Sequence, residues 1–217
     1  MLILVVRVVG DPVYGYEVKN FENIILDKTI VMTAEKELEP QMESLFLILE
    51  NINSSKLIDG FSLQVGWAIY NLHEKEKGYF IITTPDYSKN PFEDITEDLT
   101  LSLWVQLEQG HFLRKINIEG QSIKYSDKII LSKGVLELEN IYLQRTGDVE
   151  QGDSGWYIDA VGDNDTTELD ALYAFQLLKL KPEIIQVLAL PNDYMVVFEG
   201  KEIKAVLNEN DEDVFKS

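Results

Sequence analysis

Cysteine is absent from the 217 residues, which excludes disulfide frameworks, thiol nucleophiles and cysteine-ligated zinc or iron–sulfur centres. A reducing, cytoplasmic setting fits that composition. Histidine is almost absent too. Only His73 and His111 are present, in different segments, so no zinc pair is expected and a serine nucleophile has few bases to draw on. No apolar run approaches the roughly 20 residues needed to cross a bilayer, so no membrane span is expected. The apolar opening from Met1 to Val9 lacks a basic leading region, is interrupted by Arg7 and runs into Gly10-Asp11-Pro12 without a small-residue cleavage site. It reads as a buried strand and not as a signal peptide. Basic residues are scarce: 19 Lys and Arg stand against 38 Asp and Glu, a net charge of −19. Such a chain repels phosphate backbones and anionic lipid surfaces, so neither nucleic acid nor membrane is an expected partner. Glycine-rich phosphate loops and dinucleotide fingerprints are also missing.

What is present describes a folding chain. Hydrophobic residues make up 45% and charged residues 26%, values of an ordinary globular protein long enough for one large domain or two small ones. Ile24 to Met32 reads as an extended region interrupted at Asp27-Lys28. Met42, Leu45, Phe46 and Leu49 recur at helical spacing behind Pro40, predicting a helix over 39–51. Phe61 to Leu72 and Tyr79 to Thr84, flanking the charged connection His73 to Gly78, predict a hairpin. Pro85 to Pro91 is turn chemistry, and Thr96 with Glu97 and Asp98 suits a helix start. The next segment fits two periods: Leu101, Leu103, Val105 and Leu107 alternate as in a strand, whereas Leu99, Leu103 and Leu107 fit a helix of about five turns, the reading preferred here.

Beyond Gly120, short strands at Ile129 to Leu131, Ile141 to Arg145 and Trp156 to Val161 predict a small meander. Thr166 or Thr167 is placed to cap a helix with Leu169, Leu172, Tyr173, Leu177 and Leu180 on its apolar face, with a short second helix after Pro182. Tyr194 to Phe198 and Ile203 to Leu207 predict a terminal hairpin, followed by a fraying acidic tail. The expected fold is α+β, a mixed and mainly antiparallel sheet with helices packed on it. Two halves are expected, 1–125 and 126–217.

Gly152-Asp153-Ser154-Gly155 matches the surroundings of the nucleophile in chymotrypsin-like proteases. The rest of that machinery is missing: neither histidine has the right neighbours, and Trp156 stands where that family places glycine. The residues read instead as a tight turn in which Asp153 or Ser154 bonds local amides, with Trp156 opening a strand and packing its ring on the core. Asp163-Asn164-Asp165-Thr166-Thr167-Glu168 places oxygens as calcium loops do, but Glu168 and Ala174 stand where an EF-hand needs Gly and Glu. No metal or cofactor is expected. The charge is unevenly spread. Between Arg145 and Lys179 there is no Lys or Arg, while Asp148, Glu150, Asp153, Asp159, Asp163, Asp165, Glu168 and Asp170 fall inside. A second gap, between Lys89 and Arg114, holds Glu93, Asp94, Glu97, Asp98 and Glu108. Where these segments share one side of the fold they make a negative field that steers a basic protein partner, with Glu150, Asp153, Asp163 and Asp165 as the candidate contact residues; where they point in different directions they are only solvated loops.

Three segments carry a resemblance: Tyr142-Leu143-Gln144-Arg145; Gly152-Asp153-Ser154-Gly155-Trp156-Tyr157-Ile158; and Pro182 through Pro191. In that order they resemble immunity-protein-like domains of bacterial polymorphic toxin systems, over about residues 129 to 200. The stretch Thr84 to Phe92 is similar to the same longer protein type. The resemblance implies stoichiometric neutralisation of a cognate toxin in the producing cell. It implies no catalytic residues, and leaves Arg145, Asp153, Ser154, Gly155 and Trp156 as a mainly structural motif. A hydrolase using Ser154 or the carboxylates, and a scaffold role, are the alternatives from other classes.

Overall fold

The computed structural model describes residues 17–162 and 168–215. The predicted strand at Leu2 to Val9 and the predicted capping residues Thr166 and Thr167 lie outside them. The chain divides into two compact units on either side of Leu107 and Glu108, and each unit is built around its own sheet of six strands.

In the N-terminal unit the interruption at Asp27-Lys28 is a chain reversal. β1 (Val18–Ile25) and β2 (Lys28–Glu35) form an antiparallel hairpin around Leu26 and Asp27. β2 is buried along most of its length because it lies inside the sheet, between β1 and a later strand. The predicted helix follows as α1 (Glu39–Glu50), with Pro40 in its first turn and Met42, Leu45, Phe46 and Leu49 buried at the expected spacing against β1 and β2.

The region read as one long strand is two, β3 (Ser62–Val65) and β4 (Ala68–Glu76). They are paired antiparallel around Gly66 and Trp67. Gly66 sits at φ +59, the left-handed backbone that a two-residue hairpin requires and glycine supplies without strain. The charged run His73 to Glu76 belongs to β4 itself, pairing with β5 (Tyr79–Pro85), and the reversal is only Lys77-Gly78. The sheet order β1-β2-β5-β4-β3 makes β2 and β5 parallel neighbours, with α1 in the crossover such a pair demands. A short β6 (Ile95–Thr96) pairs with β5.

The ambiguous segment is helical, α2 (Thr100–Ile116). Its entry is shaped by Thr96, whose hydroxyl accepts from the Asp98 amide, and by Asp98, whose carboxylate accepts from the Thr100 amide.

The C-terminal unit departs further from the sequence reading. β7 (Lys128–Ser132), β8 (Asn140–Arg145) and β9 (Asp153–Ala160) were expected as a meander, but β9 lies between the other two, parallel to β7 and antiparallel to β8. The link from β7 to β8 runs through Gly134 and a 3-10 turn at Val135–Glu137, which gives the chain room to pass over one strand position. The helix expected from 166 onward is also corrected. Leu169–Tyr173 is β10, antiparallel to β7, followed by a 3-10 turn at Ala174–Gln176 and a single helical turn, α3 (Leu177–Leu180).

A 3-10 segment at Pro182–Val187 precedes the predicted hairpin of β11 (Met195–Glu199) and β12 (Glu202–Leu207). The full order is β10-β7-β9-β8-β11-β12. The acidic tail does not fray within the described residues. It returns along β12, where Val214 donates its amide to the Val206 carbonyl at 2.8 Å. It ends with Phe215 stacked on Phe112, 6.0 Å between ring centres, under the Lys115 ammonium.

Candidate functional site

The Asp153-Ser154-Gly155-Trp156 motif forms a bulge at the start of β9. Lys128 pairs with Asp153 and Ile130 with Tyr157, so Ser154, Gly155 and Trp156 on β9 face the single residue Ile129 on β7. A bulge of this kind bends the strand and re-aims its side chains. Asp153 closes the first turn, its carboxylate accepting the Gly155 amide at 2.8 Å. Gly155 sits at φ +76 beside β8, and a Cβ there would run into the Thr146 carbonyl, so only glycine fits. The Ser154 hydroxyl donates to the Lys128 carbonyl at 2.7 Å and accepts the Trp156 amide at 3.1 Å. Trp156 is then driven into the core, 0% exposed, with its indole N–H on the Leu188 carbonyl at 3.1 Å.

Arg145, the last residue of β8, lies under this bulge and is 5% exposed. Its guanidinium reaches three backbone carbonyls: Ser154 at 3.3 Å, Gln121 at 2.5 Å and Leu190. It also lies 5.9 Å from the centre of the Trp156 ring. Burial pulls its pKa down to about 10, opposed by the negative charge of Asp127, so the group still carries its charge at neutral pH. The three segments that carried the resemblance therefore meet at one place. Arg145 closes the first, the bulge is the second, and Leu188 and Leu190 in the third provide the carbonyls that receive Trp156 and Arg145. The sequence reading missed these acceptors because backbone carbonyls carry no residue signature. The Leu188-Ala189-Leu190-Pro191 run was the available signal.

The arrangement is not that of a nucleophile. Ser154 is buried, and both described bonds of its hydroxyl are to backbone atoms, the Lys128 carbonyl and the Trp156 amide. Of the two histidines, His73 bonds Thr83 at 3.0 Å and His111 stands exposed on α2. Ester and peptide substrates are expected to show no turnover that disappears in Ser154→Ala. The same substitution removes a partner from the Lys128 carbonyl and the Trp156 amide and should cost about 1–3 kcal/mol. A rate abolished in a folded Ser154→Ala chain would restore the hydrolase.

The acids of the Lys- and Arg-free stretch have different surroundings. Asp148 and Glu150 are exposed on the loop between β8 and β9, and Asp170 is exposed on β10. Asp153 is committed to its turn. Asp159 accepts from the Tyr157 hydroxyl and the Ala160 amide, and Glu168 is paired with Lys133 at 2.6 Å. Asp163 and Asp165, with the rest of the calcium-like loop up to Thr167, lie outside the described residues. In the other acidic gap, Glu97 pairs with Lys75 at 3.3 Å and Asp94 holds the Asn90 amide, while burial pushes the Glu108 carboxyl up against the opposing pull of His111. Among the described residues no group of three His, Asp or Glu side chains is placed to hold a metal ion, and no helix is long and apolar enough to cross a membrane.

Residues 108–209 match the family model of the Imm33-like domain. The matched range contains α2 from Glu108 onward, the whole C-terminal sheet and the Arg145–Trp156 centre. The C-terminal part of this chain is thus similar to an immunity protein family of toxin systems, as the three segments implied. No curated protein and no solved structure matches the chain.

Proposed function

We propose that this chain is an immunity-type protein, which binds a cognate toxin in the cytoplasm of the producing cell and neutralises it without chemistry of its own. The carrying observation is the Imm33-like match over residues 108–209, centred on a motif whose side chains are spent on architecture. Binding is assigned to acids of the stretch without Lys or Arg, with the exposed Glu150, together with Asp163 and Asp165, as contact residues and a basic face on the toxin. Asp153 contributes by holding the loop. A net charge of −19 with no Lys or Arg from Thr146 to Leu178 favours a partner of opposite sign, whose encounter is accelerated by the field.

The test is co-expression with each candidate toxin found among the neighbouring genes, scored by cell survival, followed by binding kinetics on the purified pair. Wild type should rescue growth. Reversing Glu150, Asp163 and Asp165 together to Lys should slow association about tenfold or more at low salt, with a smaller change in dissociation. Glu150 is exposed, and such surface changes usually stay within about 0.5 kcal/mol of stability. Equal association rates and equal salt slopes for wild type and the triple variant would reduce the acidity to a solubility device.

A further inference from the structure

The two edges of the C-terminal sheet are finished differently. At β12 the chain's own tail covers the edge: Val214 bonds Val206, Asp213 bridges to Leu207, and the Asp213 carboxylate takes the Val206 amide. At the other end β10 is paired on one side only among the described residues. Its hydrogen-bond register is fixed by the bonds that bracket it, Lys133 N–H to the Glu168 carbonyl and Ala174 N–H to the Asp127 carbonyl. The even-numbered residues therefore bond β7, and Leu169, Ala171 and Tyr173 turn their backbone groups away from it. The Tyr173 amide is taken by the Gln176 side chain at 2.8 Å. That leaves the N–H and C=O of Leu169 and Ala171 as an open edge among the described residues.

Natural edge strands are protected by charge, proline, bulges or a covering segment. β10 has neither a proline nor a bulge in its ladder with β7, and its one charge is Asp170. On the row defined by alternation, Leu169 is 60% exposed, Ala171 is exposed and Tyr173 is 36% exposed and stacked on Phe175 at 6.1 Å. An apolar row beside two unclaimed backbone pairs is the template that an added strand uses, with main-chain bonds for affinity and alternate side chains for selection.

We infer that β10 is a docking edge for an extended segment of the basic partner, which adds a seventh strand to this sheet. The inference rests on the immunity reading above and names how that partner is held. Charge identifies the occupant. β10 lies in the stretch without Lys or Arg, and its exposed Asp170 faces away from the apolar row; of the lysines on β7 and its continuation, Lys133 is paired with Glu168 and Lys128 stands opposite Tyr173 at the far end of the row. The incoming strand therefore alternates apolar residues, set against Leu169 and Tyr173, with a Lys or Arg opposite Asp170. A second copy of this chain, carrying −19 of its own, is the disfavoured occupant.

Hydrogen exchange on the full chain, free and bound to the purified toxin that it neutralises in the co-expression test, tests this directly. The Leu169 and Ala171 amides should exchange rapidly in the free chain and slow by at least about tenfold in the complex. Ala171→Pro removes the outward N–H at a position where an edge strand tolerates proline and should weaken toxin binding about tenfold, while Ala171→Ser retains it. A toxin that binds without altering these two amides overturns the docking edge and leaves the immunity reading standing. If no candidate toxin binds or is neutralised, both are overturned. Amides already protected in the free chain, through self-association or through the chain's own residues, also overturn it.

Discussion

Trp156→Ala is expected to lower the stability of the C-terminal unit by roughly 3–5 kcal/mol, a large share of the 5–15 kcal/mol that holds a typical domain together. The ring is fully buried, and its removal opens a cavity that the bulge cannot collapse into. Gly155 is already pressed on Thr146, and Ser154 is fixed between Lys128 and Trp156. The Leu188 carbonyl also loses its donor. Hydrogen exchange at β8 and β9 reads this effect without assuming that both units unfold together, and protection there should fall by roughly a hundredfold or more. Trp156→Phe keeps most of the apolar volume but not the N–H, so its loss should be smaller. A Trp156→Ala chain with unchanged exchange and lost toxin binding would instead make the tryptophan a contact residue.

The parts of this fold that were legible in the sequence are those set by local pattern. α1 was readable because Met42, Leu45, Phe46 and Leu49 all face β1 and β2, and the β11–β12 hairpin because two β-branched runs flank Gly200. β10 was misread because Leu169, Leu172 and Tyr173 satisfy a helical spacing. Pairing with Lys128 to Ser132 on β7 decides the matter, and that information is not local. The same holds for β9, whose place between β7 and β8 depends on a parallel pairing that no periodicity announces. The Gly66 reversal was lost inside a run of β-forming residues because Trp67, fully buried, reads as strand core.

At the motif, the turn chemistry of Asp153 and the core role of Trp156 were legible because each follows from residue type. The second bond of Ser154, the carbonyls of Gln121, Leu188 and Leu190, and the clash that makes Gly155 obligatory were not. They arise only where distant segments meet.

Arg145 gives the second large effect. A buried guanidinium is normally matched by a carboxylate, yet here the three described acceptors are carbonyls, on segments far apart in sequence. The planar fork of arginine is suited to spanning several acceptors, whereas an ammonium is a single point donor. Arg145→Ala leaves the Ser154 and Leu190 carbonyls buried without this donor and should cost roughly 3–5 kcal/mol. Arg145→Lys keeps the charge and satisfies fewer acceptors, so it should fall between wild type and alanine. Arg145→Met separates charge from hydrogen bonding. It refills much of the volume and removes a cation that burial disfavours, since burial lowers its pKa to about 10, but it leaves the carbonyls unpaired. A cation whose folded pKa is depressed destabilises the fold while charged, and that penalty is relieved only as pH rises from about 10 towards the unfolded value. Between pH 5 and 8 the group does not titrate, so the order wild type, Lys, Met, Ala should be the same throughout that range. Denaturation midpoints and β8–β9 exchange of the four chains at two pH values would measure it. If Arg145→Met proved as stable as wild type, the three carbonyls would not depend on Arg145, and the meeting of the three segments would have to be held by Trp156 and the bulge alone.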